Sequence, residues 1–275
     1  MALSVHTNDA ALIALQNLNT TGGLLHEVQN RISTGLAING AKDNAAVWAI
    51  AQGQRADIGS LGAVKSSLDR ATSIADVASA AGATISDLLV QMKANVVAAL
   101  DPSIDTASRN ALDSAYKSEL RQITSIVQNA TFDGANLLSG AVSQIKFIAN
   151  ADATGFITLT SQNLSLGGAI VTVPAASSIT SVAAASVALA QLSASILNTN
   201  QALGNLGSQS KEISNHNLFV QKLSDQLTTG IGNLVDADLA RESARLQALQ
   251  VQQQLGTQAL SIANQAPQII LSLFK

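Results

Sequence analysis

The sequence predicts a mainly α protein: an elongated antiparallel helical rod or coiled coil with a small β-hairpin excursion and both termini at the same end. Three observations predict this fold class. Apolar residues recur in steps of three and four over most of the chain, and the segment from about 140 to 175 alternates polar and apolar residues instead. The helical patterns on either side of that segment mirror each other. Aromatic residues are only 3% of the chain, so its core must be built from Ala, Leu, Ile and Val.

Two helices are predicted before residue 101. The first ends at the turn-forming stretches Ser33-Thr34-Gly35 and Asn39-Gly40. Asp43 or Asn44 then caps a second helix that continues to about residue 100, since a side-chain oxygen there can accept the free amides of the first turn. At 1.5 Å per residue that helix would be about 85 Å long. A globular domain of this mass would be about 40 Å across, which is why a rod is expected.

The rest of the chain is predicted to be helical around one β excursion. A third helix runs from about 104 to 130 and ends at the Asp133-Gly134 turn. Three short strands are predicted at 144–149, 155–160 and 169–173. Helix resumes from about 177 to 226, breaks at the Gly-containing stretch 228–233, and a final helix runs from Asp236 or Asp238 almost to the end. Acids at that start complement the helix dipole, and Arg241 and Glu242 lie beside them.

Composition excludes several kinds of chemistry. The chain has no cysteine, which removes disulfides, thiol catalysis and thiolate metal sites. Its net charge of −3 argues against nucleic-acid binding. The stretch His26-Glu27-Val28-Gln29-Asn30 begins like a zinc motif, but Asn30 replaces the second histidine. We therefore predict no catalytic residue, no metal site and no cofactor, and the chain is not expected to be an enzyme.

The two ends of the chain are almost free of charge. No formal charge lies between Asp9 and Glu27, and none lies from Leu246 to Phe274. The second stretch carries nine Gln and Asn side chains, which would be costly in hydrocarbon, so no membrane insertion is expected. Two interpretations remain open. The ends pack into the core of their own chain, or they fold fully only against neighbouring copies, where repeated charges would repel.

Four motifs stand out along the chain: RISTGLAINGAKDNAA at 31–46, TFDGANLL at 131–138, VDADLARE at 235–242 and ANQAPQ at 263–268. Together they resemble bacterial flagellin, of the short type that lacks large outer domains. The resemblance covers both ends and most of the helical region, and leaves only about 140–175 unmatched.

The resemblance implies a division into four parts. Residues 1–33 and 237–275 would form an inner coiled-coil domain, and 34–47 and 224–236 would be spoke linkers. A helical rod domain would comprise 48–139 and 176–223, and 140–175 would be a β-hairpin tip or vestigial outer domain. The spoke and capping residues would be Arg31, Asp43, Asn44, Asp236, Asp238, Arg241 and Glu242.

The function implied is that of a structural subunit that polymerises into the flagellar filament for swimming motility. Its partners would be other copies of itself, hook-junction and cap proteins, the flagellar type III export apparatus and a secretion chaperone, and its location the extracellular filament. The alternatives are a hook–filament junction protein and, from another class, a type III-secreted membrane translocator. The predicted polymerisation seam is Leu15, Leu18, Leu25 and Ile32 against Leu249, Leu255, Ile262 and Ile269.

The stretch 89–97 departs from the family pattern. At this place many flagellins carry a charged motif that a host innate immune receptor recognises. In this chain Gln91 and Ala94 stand where charged residues are expected, next to Lys93 and Asn95. The sequence therefore predicts weak or absent receptor activation.

Overall fold

The structure is a computed structural model that describes residues 7–272, with side chains described up to residue 265. It is mainly helical with one small antiparallel hairpin, which confirms that part of the predicted fold class. The elements are the helices α1 (Asp9–Thr34), α2 (Ala45–Ala99) and α3 (Thr106–Asn129), the strands β1 (Gln144–Ile148) and β2 (Phe156–Thr160), and the helices α4 (Val182–Val235) and α5 (Leu239–Ser272).

Helix ends lie where the turn and cap residues place them. Gly35 adopts a left-handed conformation (φ 73°) and closes α1 by donating its amide to the Arg31 carbonyl. Of the two cap candidates for α2, Asn44 is the one that accepts the Val47 amide. Asp43 instead accepts the amides of Asn39 and Gly40, and so fixes the turn before the helix.

The predicted break at 228–233 is wrong. Helix α4 continues through Gly230 and Gly232 to Val235, and Asp236 still donates its amide to the Gly232 carbonyl. Ile231 and Val235 are buried, one turn apart on the same face of the helix. Glycine costs a helix interior only about 1 kcal/mol, so burial of that face outweighs the two glycines.

The third predicted strand, at 169–173, is also wrong. Val171 and Val173 are fully buried, as the alternating pattern implied. The backbone between them bonds to a helix rather than to a strand: the Thr172 amide donates to Ser195 Oγ at 2.9 Å, and its hydroxyl donates to the Gln191 carbonyl. An alternating pattern shows which side chains face the core, but not which group pairs with the backbone.

The chain divides into two compact units. The described part of unit 1 comprises 7–56 and 226–272, and unit 2 comprises 57–225. The four-part division expected from the family resemblance remains a prediction. Two helices, α2 and α4, are long and apolar enough to cross a membrane by length and composition alone. Within unit 2, both helices also supply the buried residues of a protein core.

Unit 2 is a helical core closed by the β hairpin. Helix α2 buries a heptad-spaced seam, and α3 adds one buried face that includes Tyr116. The strands pair from Gln144↔Thr160 to Ile148↔Phe156, and Phe147 and Leu159 point into the core. The buried α2 seam comprises Leu68, Ala71, Ala75, Ala78, Ile85, Leu89, Met92, Val96 and Ala99.

Candidate functional site: the paired helices α1 and α5

Helices α1 and α5 pack against each other in antiparallel orientation within unit 1. Near the start of α1, the Asn8 side chain donates to the Ala263 carbonyl at 2.7 Å. At its other end, Arg31 Nη1 donates to Glu242 Oε1 at 3.2 Å. Residue numbers therefore fall along α5 as they rise along α1. The two charge-poor ends of the chain are partners of each other.

A narrow apolar core holds this pair together. Leu25, Val28 and Leu249 are buried, at 9%, 1% and 6% exposure. Leu24, Ile32 and Leu246 pack around them and are partly buried. Val28 was not in the predicted seam, although it lies three residues after Leu25 and fits the helical step. The predicted seam omits Val28 because its apolar spacing passes directly from Leu25 to Ile32.

The two helices approach each other closely at Gly256 on α5. A Cβ atom at Gly256 would lie 3.3 Å from Leu18 Cδ1. The predicted seam residue Leu18 therefore covers Gly256 within the same chain. Of the predicted seam, the structure brings together Leu18, Leu25, Ile32 and Leu249 at this internal interface.

The other described members of the predicted seam are not buried in that interface. Leu15, Leu255 and Ile262 are 43%, 65% and 64% exposed. On α5, exposed residues recur in steps of three and four, on the side of the helix opposite the buried Leu249. We call this set the α5 outer stripe, and it comprises Ala248, Val251, Leu255, Gln258, Ile262 and Gln265. The side chain of Ile269 lies outside the described residues.

A small charged network closes one end of the pair. Arg31 also bonds to Glu27 on its own helix. Glu242 is only 8% exposed, and its Oε2 atom is buried without a hydrogen-bond partner among the described residues. Breaking the Arg31 contact would leave a buried carboxylate uncompensated, which is strongly unfavourable.

The linkers next to this network bond to each other. Ala37 donates its amide to the Val235 carbonyl at 2.7 Å, and Ala237 donates to the Gly35 carbonyl at 2.9 Å. Asp238 caps α5 by accepting the amides of Ala240 and Arg241. Asp236 forms an isolated antiparallel bridge with Leu36, and the Arg241 side chain is exposed. Of the two acids, Asp238 lies at the start of α5, whereas Asp236 follows the last turn of α4.

The described residues show no group of His, Cys, Asp or Glu that could hold a metal ion. His26 is exposed on α1, and His216 lies 2.7 Å from the Ala149 carbonyl. His6 lies outside the described residues. The surface of α1 and α5 carries exposed apolar side chains in the part of the chain that the structure describes, among them Leu12, Leu255 and Ile262.

Comparison with known proteins identifies the family. Residues 5–143 match the bacterial flagellin N-terminal helical region, and residues 177–274 match the bacterial flagellin C-terminal helical region. Flagellin FljJ of Caulobacter vibrioides is 52% identical over 100% of this chain and 99% of its own length. A flagellin of Brucella melitensis is 37% identical over 99% of both chains.

The crystal structure of Bacillus cereus flagellin has a TM-score of 0.49 at 18% identity, covering 55% of this chain and 85% of that one. The structural overlap is partial, and the sequence matches suffice to show that the chain belongs to the bacterial flagellin family.

Proposed function

We propose that this chain is a structural subunit that polymerises into the flagellar filament through the outward faces of α1 and α5. The observation that supports this most directly is the α5 outer stripe. Its residues Leu255 and Ile262 are about two-thirds exposed on a helix whose opposite face is already packed. Apolar surface of this kind on a soluble chain marks an interaction site.

The composition of the stripe suits contact with identical copies. From Leu246 to Phe274 the chain carries no charge, so close approach of the same face from several copies brings no like-charge repulsion. The polar stripe residues Gln258 and Gln265 keep hydrogen-bonding capacity. Contacts between different faces of identical subunits that do not close into a ring produce an open helical filament.

A pair of substitutions tests this proposal. Leu255→Gln with Ile262→Gln leaves the internal interface intact, because neither side chain is buried in it. Burial of the two aliphatic side chains in a filament is worth about 3–6 kcal/mol. The variant is therefore expected to raise the critical concentration for seeded growth more than about a hundredfold.

The matched control is Val142→Gln with Phe156→Gln, which alters two exposed apolar side chains of unit 2. It is expected to polymerise like the parent chain, as measured by sedimentation and electron microscopy. Normal filament growth of the Leu255/Ile262 variant would contradict the proposal.

Family membership supports several finer parts of this proposal. We infer that residues 1–33 and 237–275 form the inner coiled-coil domain of the filament, with Ile269 continuing the seam. Export through the type III apparatus with a secretion chaperone, and assembly beside junction and cap proteins, are part of this proposal. A junction protein would be a minor component at one position along the flagellum, so the number of copies per flagellum distinguishes it from a filament subunit. A translocator would release the contents of liposomes, and this release distinguishes it from a filament subunit.

The stretch that departs from the family pattern is the basis for a second expectation. Gln91, Lys93 and Ala94 are exposed on α2, and Asn95 donates to the Glu119 carboxylate at 2.9 Å. The purified monomer is expected to give weak or no activation of the innate immune receptor, because Gln91 and Ala94 are uncharged where the family motif has charged residues. A reporter-cell assay checks this, and a strong response to the monomer would refute it.

A further inference from the structure

Unit 2 has two exposed helix faces that lie opposite its buried seams. On α2, every third or fourth residue from Asp76 to Val97 is exposed, and we call this set the α2 outer stripe. On α4, the same spacing gives the α4 outer stripe, from Gln201 to Lys222. The first comprises Asp76, Ala80, Ala83, Asp87, Val90, Ala94 and Val97, and the second Gln201, Gly204, Ser208, Lys211, Asn215, Leu218 and Lys222.

The charges on the two stripes are opposite and equally spaced. Asp76 and Asp87 are the charged residues of the α2 outer stripe, and Lys211 and Lys222 are those of the α4 outer stripe. Each pair is separated by eleven positions, which is about 16 Å along a helix and nearly the same angle around it. Within the described residues, none of the four side chains forms an ion pair or hydrogen bond.

We infer that the α2 outer stripe of one copy packs antiparallel on the α4 outer stripe of a neighbouring copy, with Asp87 opposite Lys211 and Asp76 opposite Lys222. This inference rests on the proposed function, because it describes a contact inside the filament. It adds a second interface, formed by unit 2, to the one proposed for α1 and α5.

The apolar residues fit the same register. Val90 then lies opposite Ser208, and Leu218 lies opposite Ala80, so that each large side chain meets a small one. Val90 and Leu218 are 54% and 52% exposed in the single chain. The parallel alternative satisfies the charges but places Val90 opposite Asp225, which leaves an aliphatic side chain against an acid.

The antiparallel direction also agrees with the arrangement inside unit 2. Asn217 on α4 donates to Asp69 on α2 at 2.6 Å, and Ser86 on α2 donates to Asn200 on α4 at 3.2 Å. As residue numbers rise on α2 they fall on α4, so the two helices are antiparallel within a copy. If neighbouring copies are related by a rotation about an axis parallel to these helices and a shift along it, α2 of one copy is also antiparallel to α4 of the next.

Charge reversal tests the pairing. Asp76→Lys with Asp87→Lys places four cations on the two facing stripes, and is expected to raise the critical concentration for seeded growth about tenfold at low salt. Adding Lys211→Asp and Lys222→Asp to the same chain reverses both stripes and is expected to restore the parental value. The defect of the first variant should shrink at high salt, because exposed charges are screened.

The control changes the net charge equally at other sites. Asp57→Lys with Asp152→Lys alters two exposed acids of unit 2 outside both stripes and is expected to polymerise like the parent. Circular dichroism of each monomer verifies that its helices are retained. The inference is overturned if the Asp76/Asp87 variant polymerises normally or if the variant with all four charges reversed fails to restore growth. It is also overturned if the Asp57/Asp152 control is equally impaired. Each of these results leaves the Leu255/Ile262 test of the proposed function unaffected.

Discussion

The carboxylate of Asp113 joins helix α3 to the segment that leads into α4. It accepts the Ile179 amide at 2.7 Å and the Ser178 hydroxyl at 2.8 Å, and it pairs with Lys117 at 2.7 Å. Burial alone would raise the pKa of Asp113. The hydrogen bonds from Lys117, Ile179 and Ser178, with the Lys117 charge, outweigh burial, so its pKa is lowered.

Because the pKa of Asp113 is lowered, the free energy of unfolding of unit 2 depends on pH in the acidic range. The ionised Asp113 stabilises the fold above the unfolded-state pKa of about 3.9, and this contribution is lost as the pH falls through the lower folded-state value. Asp113→Asn is therefore expected to cost about 1–3 kcal/mol at pH 7, and the difference from the parent chain should shrink below about pH 4.

Thermal unfolding followed across pH measures this effect. The control is Asp152→Asn, an exposed acid of the same unit, which should have no comparable effect. If the Asp113 variant were as stable as the parent at pH 7, the carboxylate would not hold the segment in place.

At the scale of single residues, the sequence located most caps and turns correctly. Asn44, Asp238 and the Asp133-Gly134 turn are short-range features, and local chemistry determines them. The burial of Glu242 against Arg31 could not be predicted in the same way. The two residues are 211 positions apart, and their contact exists only because α1 and α5 pack together.

At the scale of elements, glycine shows how tertiary packing modifies local preference. Gly207 lies inside α4, and a Cβ atom there would meet nothing within 4 Å. Gly82 lies inside α2, and its Cβ atom would lie 2.7 Å from Leu203 Cδ2. The first glycine leaves its helix less stable without any packing benefit, and the second allows a leucine to approach.

This difference predicts the effect of two alanine substitutions. Gly207→Ala is expected to stabilise unit 2 by about 0.5–1 kcal/mol, because alanine restricts the unfolded chain and has no clash in the helix. Gly82→Ala is expected to stabilise unit 2 less than this or to destabilise it, because the Leu203 side chain must move. Thermal unfolding of the two variants compares them directly. Equal stabilisation by both would show that the Leu203 contact has no energetic weight.

Both incorrect elements, the break at 228–233 and the strand at 169–173, have the same origin. The residue pattern contained helix-weakening glycines in one, and it correctly indicated alternating burial in the other. What it could not supply was the partner: the buried face at Ile231 and Val235, and the Ser195 side chain that accepts the Thr172 amide. Such partners are set by tertiary structure.

At the scale of the whole molecule, the structure supports the first interpretation of the uncharged ends in part, and the second stays a prediction. The ends pack on each other within one chain through Leu25, Val28 and Leu249. The α5 outer stripe stays exposed, and its Leu255 and Ile262 are 65% and 64% exposed. Sequence reasoning grouped both sets into one seam, because steps of three and four cannot distinguish two faces of one helix that have different partners.

The narrow core between α1 and α5 implies that the pair gains much of its stability from neighbouring copies. An isolated amphipathic helix depends on tertiary packing, and helix ends with little packing open readily. Only three residues of this pair belong to its buried apolar core among the described side chains. The account therefore requires that assembly complete the packing of α5.

Amide hydrogen exchange over residues 242–263, in dilute monomer and in assembled filament, measures whether assembly completes the packing of α5. We expect rapid exchange in the monomer and exchange slower by more than about a hundredfold in the filament, where the α5 outer stripe is covered. The amides of α2 at 85–96, in the buried core of unit 2, serve as the internal control and should be protected in both states. Equal and strong protection of 242–263 in the dilute monomer would contradict the account.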